Sequence, residues 1–372
     1  MIGLGQFGTN NMKKDSYSSF FNKKRILITG YTGFKGSWLT KILSMWGAKI
    51  SGIALAPTTR PNLFDTLNLK DNINGYLIDV RDGEGVMKIV AQEKPEIIIH
   101  LAAQAIVKDS YDDPLKTYST NTLGMVNVLE AIRKVETIRS VVLITTDKVY
   151  ENKEWIYPYR EIDALGGYDP YSASKASADI IAQSYIQSFF NPTEYKYCHN
   201  TLIAIARAGN VIGGGDWSNH RLVPDVVRAI LDQNLPVVLR NPCAIRPWEH
   251  VLEPLSGYLL LAKKMYQGDI SASGAWNFGP DDDAFSTVED LLNHAISILK
   301  KGKYIIKTED GKHEAKLLKL DTSKSKCLLG WKPTLTFKEN LEFTFEWYKK
   351  YYGSHKSIQT FTEAQIINFF SK

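Results

Sequence analysis

Tyr171 and Lys175 stand four residues apart in Tyr171-Ser172-Ala173-Ser174-Lys175. Side chains at i and i+4 share a helix face, so a phenol and an ammonium would point into one cleft. An ammonium beside a phenol favours the phenolate. That can bring a tyrosine down from about 10 towards neutrality and make it an acid/base for an alcohol proton. A second string, Thr145-Thr146-Asp147-Lys148, ends the apolar run Val141-Val142-Leu143-Ile144. It delivers a hydroxyl, a carboxyl and an amine to the carboxyl end of a buried strand, where open α/β sheets build their sites. A tyrosine–lysine pair alone is common on helix surfaces. Two such strings downstream of a glycine-rich turn are harder to assign to chance.

The elements that must position them follow from periodicity. Residues 25–29 read as a strand, followed by Gly30-Tyr31-Thr32-Gly33-Phe34-Lys35-Gly36 and an amphipathic helix to about Met45. Further strands are expected at 50–55, 76–79, 97–100, 141–145 and 202–206, with helices at 83–92, 117–134 and 171–189. Strands alternating with helices imply an α/β fold: a doubly wound parallel sheet of the Rossmann type with right-handed crossovers. Residues 1–22 are Gly-, Asn-, Ser- and Lys-rich and are expected to be a disordered tail. Residues 23–200 form the expected dinucleotide-binding domain, with later segments returning to it. Residues 201–352 read mainly as a smaller, interleaved lobe, and 353–372 as a C-terminal tail. Gly3-Leu4-Gly5-Gln6-Phe7-Gly8 matches G-x-G-x-x-G, yet no strand precedes it, so it is rejected.

Gly30, Gly33 and Gly36 sit between a strand and a helix: one for a tight turn, one for close approach to a pyrophosphate, one for helix packing. Thr32 and Phe34 belong to the same turn. Strand 2 runs out as Ile53-Ala54-Leu55-Ala56-Pro57 with no acidic residue for a ribose. Thr58, Thr59 and Arg60 follow and would suit a 2′-phosphate, so NAD is expected with NADP left open. Asp79, beside Val80, either bonds an adenine amino group or caps a turn. Leu101, Ala102 and Gln104, after strand 4, should lie along the cofactor.

Bulk properties narrow the class. At 372 residues the chain can bury a large core. A net charge of +5 fits an anionic small molecule or ordinary surface lysines. No basic tract interleaved with aromatics suggests nucleic acid. Cys198, Cys243 and Cys327 are far apart, with no metal or disulfide spacing, which favours a reducing cytoplasm. No apolar stretch approaches the roughly 20 residues a membrane span needs, and no signal-peptide order opens the chain.

Longer strings add a resemblance. Gly33-Phe34-Lys35-Gly36-Ser37-Trp38, His100-Leu101-Ala102-Ala103, Asn121, Thr146-Asp147-Lys148 with Tyr150-Glu151-Asn152, and Gly166-Gly167-Tyr168-Asp169-Pro170 are among them. Arg207 to Trp217 and Arg246-Pro247-Trp248-Glu249-His250-Val251-Leu252-Glu253-Pro254 continue the match. Over residues 24–350 the chain resembles extended short-chain dehydrogenases/reductases acting on nucleotide sugars, and among them the CDP-glucose 4,6-dehydratase group.

The resemblance implies conversion of CDP-glucose to CDP-4-dehydro-6-deoxyglucose, a hydro-lyase reaction of deoxysugar and surface-polysaccharide biosynthesis, by a cytoplasmic homodimer. Tyr171 would take the C4 hydroxyl proton, Lys175 hold the phenolate and the nicotinamide ribose, Thr146 orient the alcohol, and Asn121 line the cofactor site. Asp147 and Lys148 would be the acid at O6 and the base at C5. A neutral lysine and a protonated aspartate conflict if the two side chains touch; neighbours leaving a strand are expected to diverge. The alternative is that Lys148 only pairs with phosphate or Asp147. For the nucleotide, Asn210 and Arg246 lead, with Arg221 and Arg240 weaker. His250 is placed in a loop of the site, packing or hydrogen bonding, and Tyr150 in the sugar pocket or the core. No metal is implied. Rival readings are another dehydratase, an epimerase or reductase of the same fold, and a non-catalytic dinucleotide sensor.

Overall fold

Every residue of Ile97–His100 and Ser140–Ile144 is buried, as strands covered on both faces require. The computed structural model describes residues 16–281, 285–307 and 318–372. Its strands are β1 (Arg25–Thr29), β2 (Lys49–Ala54), β3 (Asn74–Leu77), β4 (Ile97–His100), β5 (Ser140–Ile144), β6 (Leu202–Ala208), β7 (Asn210–Ile212), β8 (Val237–Leu239), β9 (Ile245–His250), β10 (Gly274–Phe278), β11 (Phe285–Thr287) and β12 (Tyr304–Ile306). Seven of them make one parallel sheet in the order β10-β6-β5-β4-β1-β2-β3. The order reverses between β1 and β4, which opens a crevice at their carboxyl ends. The expected doubly wound fold is the fold observed.

Helices cover both faces. The helix Phe34–Met45 is buried from Gly36 to Leu43, and Trp38 Nε1 donates to the Gly214 carbonyl at 3.0 Å, fastening the sheet to the cap. The helix Pro170–Phe189 starts with Pro170 in its first turn, and the Asp169 carboxylate accepts from Ser172 N at 2.9 Å. The cap is built on a sheet β11-β9-β7 and the parallel pair β8–β12. A buried ion pair ties the helix Pro170–Phe189 to the sheet. Arg207 on β6 grips Asp179 through two hydrogen bonds, 2.8 and 2.7 Å, with both side chains fully buried.

Four expectations are corrected. β3 lies two residues earlier than 76–79, because it is an edge strand whose partner residues are Ser51–Ala54 and whose apolar run extends past its last pair. The single helix over 117–134 is a helix Pro114–Tyr118, a π-helical turn Ser119–Leu123 and a helix Gly124–Lys134; the wide turn aims Asn121 inwards. The leading tail is partly ordered: Ser16–Phe21 is helical, and buried Phe21 stacks on Trp46 at 5.7 Å. Residues 1–15, including the rejected Gly3–Gly8 string, lie outside the described residues. The C-terminal tail is a helix, Ile358–Ser371, which buries Ile366 and Phe369 and pairs Glu363 with Lys41 at 2.6 Å. Its apolar positions pack where sequence reading, stopping at the family-like region, had assigned no element. β10 also returns to the main sheet beside β6, an element the sequence reading named only as later segments.

Candidate active site

The glycine-rich turn leaves no room for side chains. Gly30 has φ +75° and its amide donates to Ile53 O at 2.7 Å; a Cβ there would lie 2.8 Å from Ala102 N. A Cβ on Gly36 would lie 2.1 Å from Gly30 O and 2.7 Å from Tyr31 Cα. Both clashes are with backbone, which cannot turn aside. Gly36→Ala is therefore expected to cost about 1–3 kcal/mol of stability and to weaken dinucleotide binding at least tenfold, as read by thermal melting and cofactor titration. Gly33, exposed at the amino end of the helix, donates its amide to Gly30 O at 3.1 Å within the turn, while Phe34 turns its ring against Gly213 of the cap.

The other candidate cofactor residues lie after β1, β3 and β4 and on the π-helical turn Ser119–Leu123. Thr32 Oγ1 donates to Leu55 O at 2.8 Å. Thr29 Oγ1 meets His100 Nδ1 at 2.7 Å and accepts from Leu101 N and Ala102 N at 3.1 Å each, fixing the loop after β4. Asn121 accepts from Gln104 N at 2.8 Å and donates to Gln104 O and Ser174 Oγ, clamping that loop to the Tyr171 helix. Val80 is buried under Gly124. Asp79 accepts from Arg81 N at 2.9 Å and is engaged by the Arg81 guanidinium at 2.6 Å, which holds its carboxyl below the usual range. Beyond β2, Thr58, Thr59 and Arg60 line a cavity of about 230 Å³ together with Trp217, Arg228 and Asp232.

The catalytic strings meet as expected, with two differences. Thr146 caps the 3₁₀ turn Asp147–Val149 and donates to Asp147 Oδ1 at 2.8 Å. Lys148 Nζ lies 3.3 Å from the same oxygen. The side chains therefore touch, because a 3₁₀ turn curls the backbone where an extended exit from the strand would have separated them. Burial opposes the Lys148 charge, but Asp147 and Tyr171 outweigh it and hold the amine above its ordinary value. The second difference concerns Lys175. It donates to Ile144 O at 2.8 Å, at the end of β5, and burial with the nearby Lys35 charge brings it down to about 8. Burial pushes the Tyr171 phenol up, while Lys148, a Thr146 hydrogen bond and Arg221 pull it back. Lys148 is the cation that pulls hardest on the phenol, while the Lys175 ammonium is turned to the Ile144 carbonyl.

Of the nucleotide candidates, Arg246 comes within electrostatic reach of Lys148, and Arg221 within reach of Tyr171 while pairing with Asp216 at 3.2 Å. Half-buried Asn210 lies on β7 opposite Trp248. Arg240 is exposed just beyond β8, in the separate two-stranded sheet. His250 ends β9 instead of lying in a loop, fully buried between Trp38 and Phe343 rings; this apolar packing pushes its imidazole down to about 3 and takes it off the substrate-facing surface. Tyr150 is core: its hydroxyl donates to Asn277 at 2.7 Å and accepts from Arg207. Sequence reasoning passed over Lys35, Glu249 and Tyr258, which converge behind Asp147. The signal was a lysine in the first turn of the glycine-loop helix and an acid inside a buried strand. Among the described residues no group of His, Cys, Asp and Glu is arranged to hold a metal, and no helix is long and apolar enough to cross a membrane.

Comparison with known proteins gives this geometry its kin. The chain is 45% identical over 332 residues to a CDP-glucose 4,6-dehydratase of Salmonella typhimurium, covering 89% of this chain and 92% of that protein. It is similar to the solved dTDP-glucose 4,6-dehydratase of Bacillus anthracis in complex with NAD: TM-score 0.70, 25% identity, 87% of this chain and 96% of that one. The UDP-glucose 4-epimerase of Thermotoga maritima, solved with UDP-glucose, shares the fold at TM-score 0.73 and 23% identity, over 87% and 98% of the two chains. The sequence model described as GDP-mannose 4,6 dehydratase matches residues 27–344, so this chain, with its Thr-Asp-Lys turn facing a tyrosine at a Rossmann crevice, belongs to that dehydratase family.

Proposed function

We propose that the protein is a hydro-lyase that converts CDP-glucose to CDP-4-dehydro-6-deoxyglucose and water, with NAD as recycled cofactor. The observation that carries this reading is the Asp147–Lys148 contact beside Thr146 and Tyr171. An epimerase or simple reductase needs the hydroxyl and the phenol but no second acid and base. The 45% identity to a CDP-glucose 4,6-dehydratase supports the choice of nucleotide.

The glycine cradle and the free amino end of the Phe34–Met45 helix suit a dinucleotide pyrophosphate. The chemistry a bound NAD supplies is acceptance of a hydride from C4 and its return at C6. Tyr171 takes the O4 proton, with Thr146 bonding O4. The resulting ketone acidifies C5–H. Lys148 then removes the C5 proton, Asp147 protonates O6, and the C6–O bond breaks to release water. The ion pair is no obstacle to these roles. Moving one proton across its 3.3 Å contact gives a neutral amine and a carboxylic acid, the two forms the elimination needs. Arg246 nearby favours the neutral amine. Lys148 finally returns its proton to C5.

The same reading takes the protein as a cytoplasmic homodimer serving deoxysugar biosynthesis. Exposed Leu115, Leu123 and Ile180, on the two helical segments that the family pairs, support the assembly. The test is incubation with NAD and a panel of nucleotide-glucoses, followed by the alkaline 4-keto-6-deoxy chromophore. Product from CDP-glucose in preference to the dTDP, UDP and GDP compounds is expected. No product from any nucleotide-glucose would overturn the reading.

A further inference from the structure

Glu249 is 1% exposed on β9, and neither carboxyl oxygen has a hydrogen-bond partner of normal geometry. Buried polar atoms are rarely left so. The hydroxyl of Tyr258, fully buried on the helix Leu252–Tyr266, is likewise without a partner. Lys35 sits in the first turn of the Phe34–Met45 helix, where the helix dipole disfavours a cation. Its ammonium lies 6.0 Å from the Tyr258 ring centre. Glu249 shares a strand face with Pro247, and Pro247 and Asp147 Oδ2 both come close to Gly209, 3.6 and 3.5 Å from where a Cβ would stand. Glu249 lies within electrostatic reach of Lys35 and Asp147, and Tyr258 within reach of Glu249, so three polar groups that the catalytic cycle has not used are gathered near Asp147.

The cycle lacks something there. The O4 proton ends on Tyr171, and the proton lost with O6 comes from Asp147. Lys148 takes one proton from C5 and returns it. After each turnover Tyr171 holds one proton too many and the Asp147–Lys148 pair one too few. Thr146 touches both sides, but while the sugar is bound its hydroxyl is committed to O4. We propose that Lys35, Glu249 and Tyr258 hold an internal water beside Asp147, and that Glu249, acting through it, returns a proton to Asp147 after O6 has left as water. Buried waters make about three hydrogen bonds, which the unpartnered Glu249 carboxyl and Tyr258 hydroxyl would supply together with the Lys35 ammonium. The Glu249 O–H bond breaks and an Asp147 O–H bond forms, with the Glu249 carboxylate balanced by Lys35. Tyr258, within electrostatic reach of both Tyr171 and Glu249, stands where the surplus proton comes back. Nothing is oxidised or reduced.

Burial, with Glu253 and Asp147 adding to it, raises the Glu249 carboxyl well above its ordinary range, against Lys35 and the Gly209 amide. Glu253 itself is satisfied by Thr334 N and Leu335 N and stays outside the relay. The donor form of Glu249 exists below its raised pKa and is lost above it, so water loss should carry an alkaline limb that this residue sets. Glu249 is a positioning residue for protons, since it works through Asp147.

This inference rests on the dehydratase reading, and the two fail differently. Glu249→Gln keeps the shape and removes the acid. With CDP-6-deoxyglucose, which can be oxidised at C4 but has no O6 to lose, it should reduce NAD at the native rate. With CDP-glucose, product formation should fall about 10–100-fold and lose its alkaline limb. The share of the infrared carboxylic-acid band that Glu249 contributes should be lost, leaving that of Glu253. Tyr258→Phe, which removes only the unpartnered hydroxyl, should slow product formation in the same direction and covers the case in which Glu249→Gln does not fold. Native product rates with an unchanged pH profile in either variant, or an equal slowing of C4 oxidation, would overturn the relay. Failure of the native protein to act on any nucleotide-glucose would instead sink the dehydratase reading itself.

Discussion

Lys148→Ala is expected to oxidise C4 of CDP-glucose and then stall, with 6-deoxy product reduced by at least about 10²-fold, the lower bound for a general acid–base group. The reduced nicotinamide absorbance should rise with enzyme and persist, because no unsaturated sugar forms to take the hydride back. The physical reason is the contact to Asp147 at 3.3 Å. Lys148 is about one-third exposed, and Asp147 is buried. Only a group that can shed its proton to this neighbour can become the C5 base. Lys148→Arg separates that role from simple pairing. Arginine would keep the charge and the hydrogen bond but stays protonated. It should fail like the alanine variant if Lys148 is the base, and should turn over normally if Lys148 only pairs with Asp147 or phosphate.

The largest effect on stability is expected at Asp179. Arg207 and Asp179 are both fully buried; the carboxylate also accepts from Thr145 Oγ1 at 3.0 Å, next to the catalytic turn. Taking two charges out of water is costly, and removing one partner leaves the other uncompensated. Asp179→Ala should therefore lose about 3–5 kcal/mol in denaturant unfolding. The double variant Arg207→Met, Asp179→Leu should recover most of it, because well-packed apolar replacements of a buried pair are often neutral. A loss under about 1 kcal/mol in the single variant would show that the Tyr150 hydroxyl and the Glu161 carbonyl satisfy Arg207 without Asp179.

Much of this was legible in the residues. The strand–glycine–helix order around Gly30, Gly33 and Gly36 announced the crevice, since only such a turn explains those glycines after an apolar run. Tyr171 and Lys175 were placed on one face by spacing alone. What spacing could not show is side-chain direction after a strand ends. Lys148 turns back to Asp147 because a 3₁₀ turn follows Thr146, and Lys175 turns to the Ile144 carbonyl because a buried ammonium needs an acceptor. Edge positions were read less well. β3 is mostly exposed and carries little periodic signal, and β10 is a five-residue strand holding Asn277, which is satisfied only by distant loops. Glu249 was quoted within a motif and given no task. Its isolation becomes visible only when the strand, the glycine-loop helix and the helix Leu252–Tyr266 are assembled.

The central claim is that one sugar is oxidised, dehydrated and reduced without leaving the crevice. Its most direct test is CDP-glucose carrying deuterium at C4, turned over with unlabelled NAD. The product should be CDP-4-dehydro-6-deoxyglucose with that deuterium at C6 of the same molecule, and the recovered cofactor should carry none. Deuterium retained at C4, or washed out into solvent or cofactor, would contradict the account.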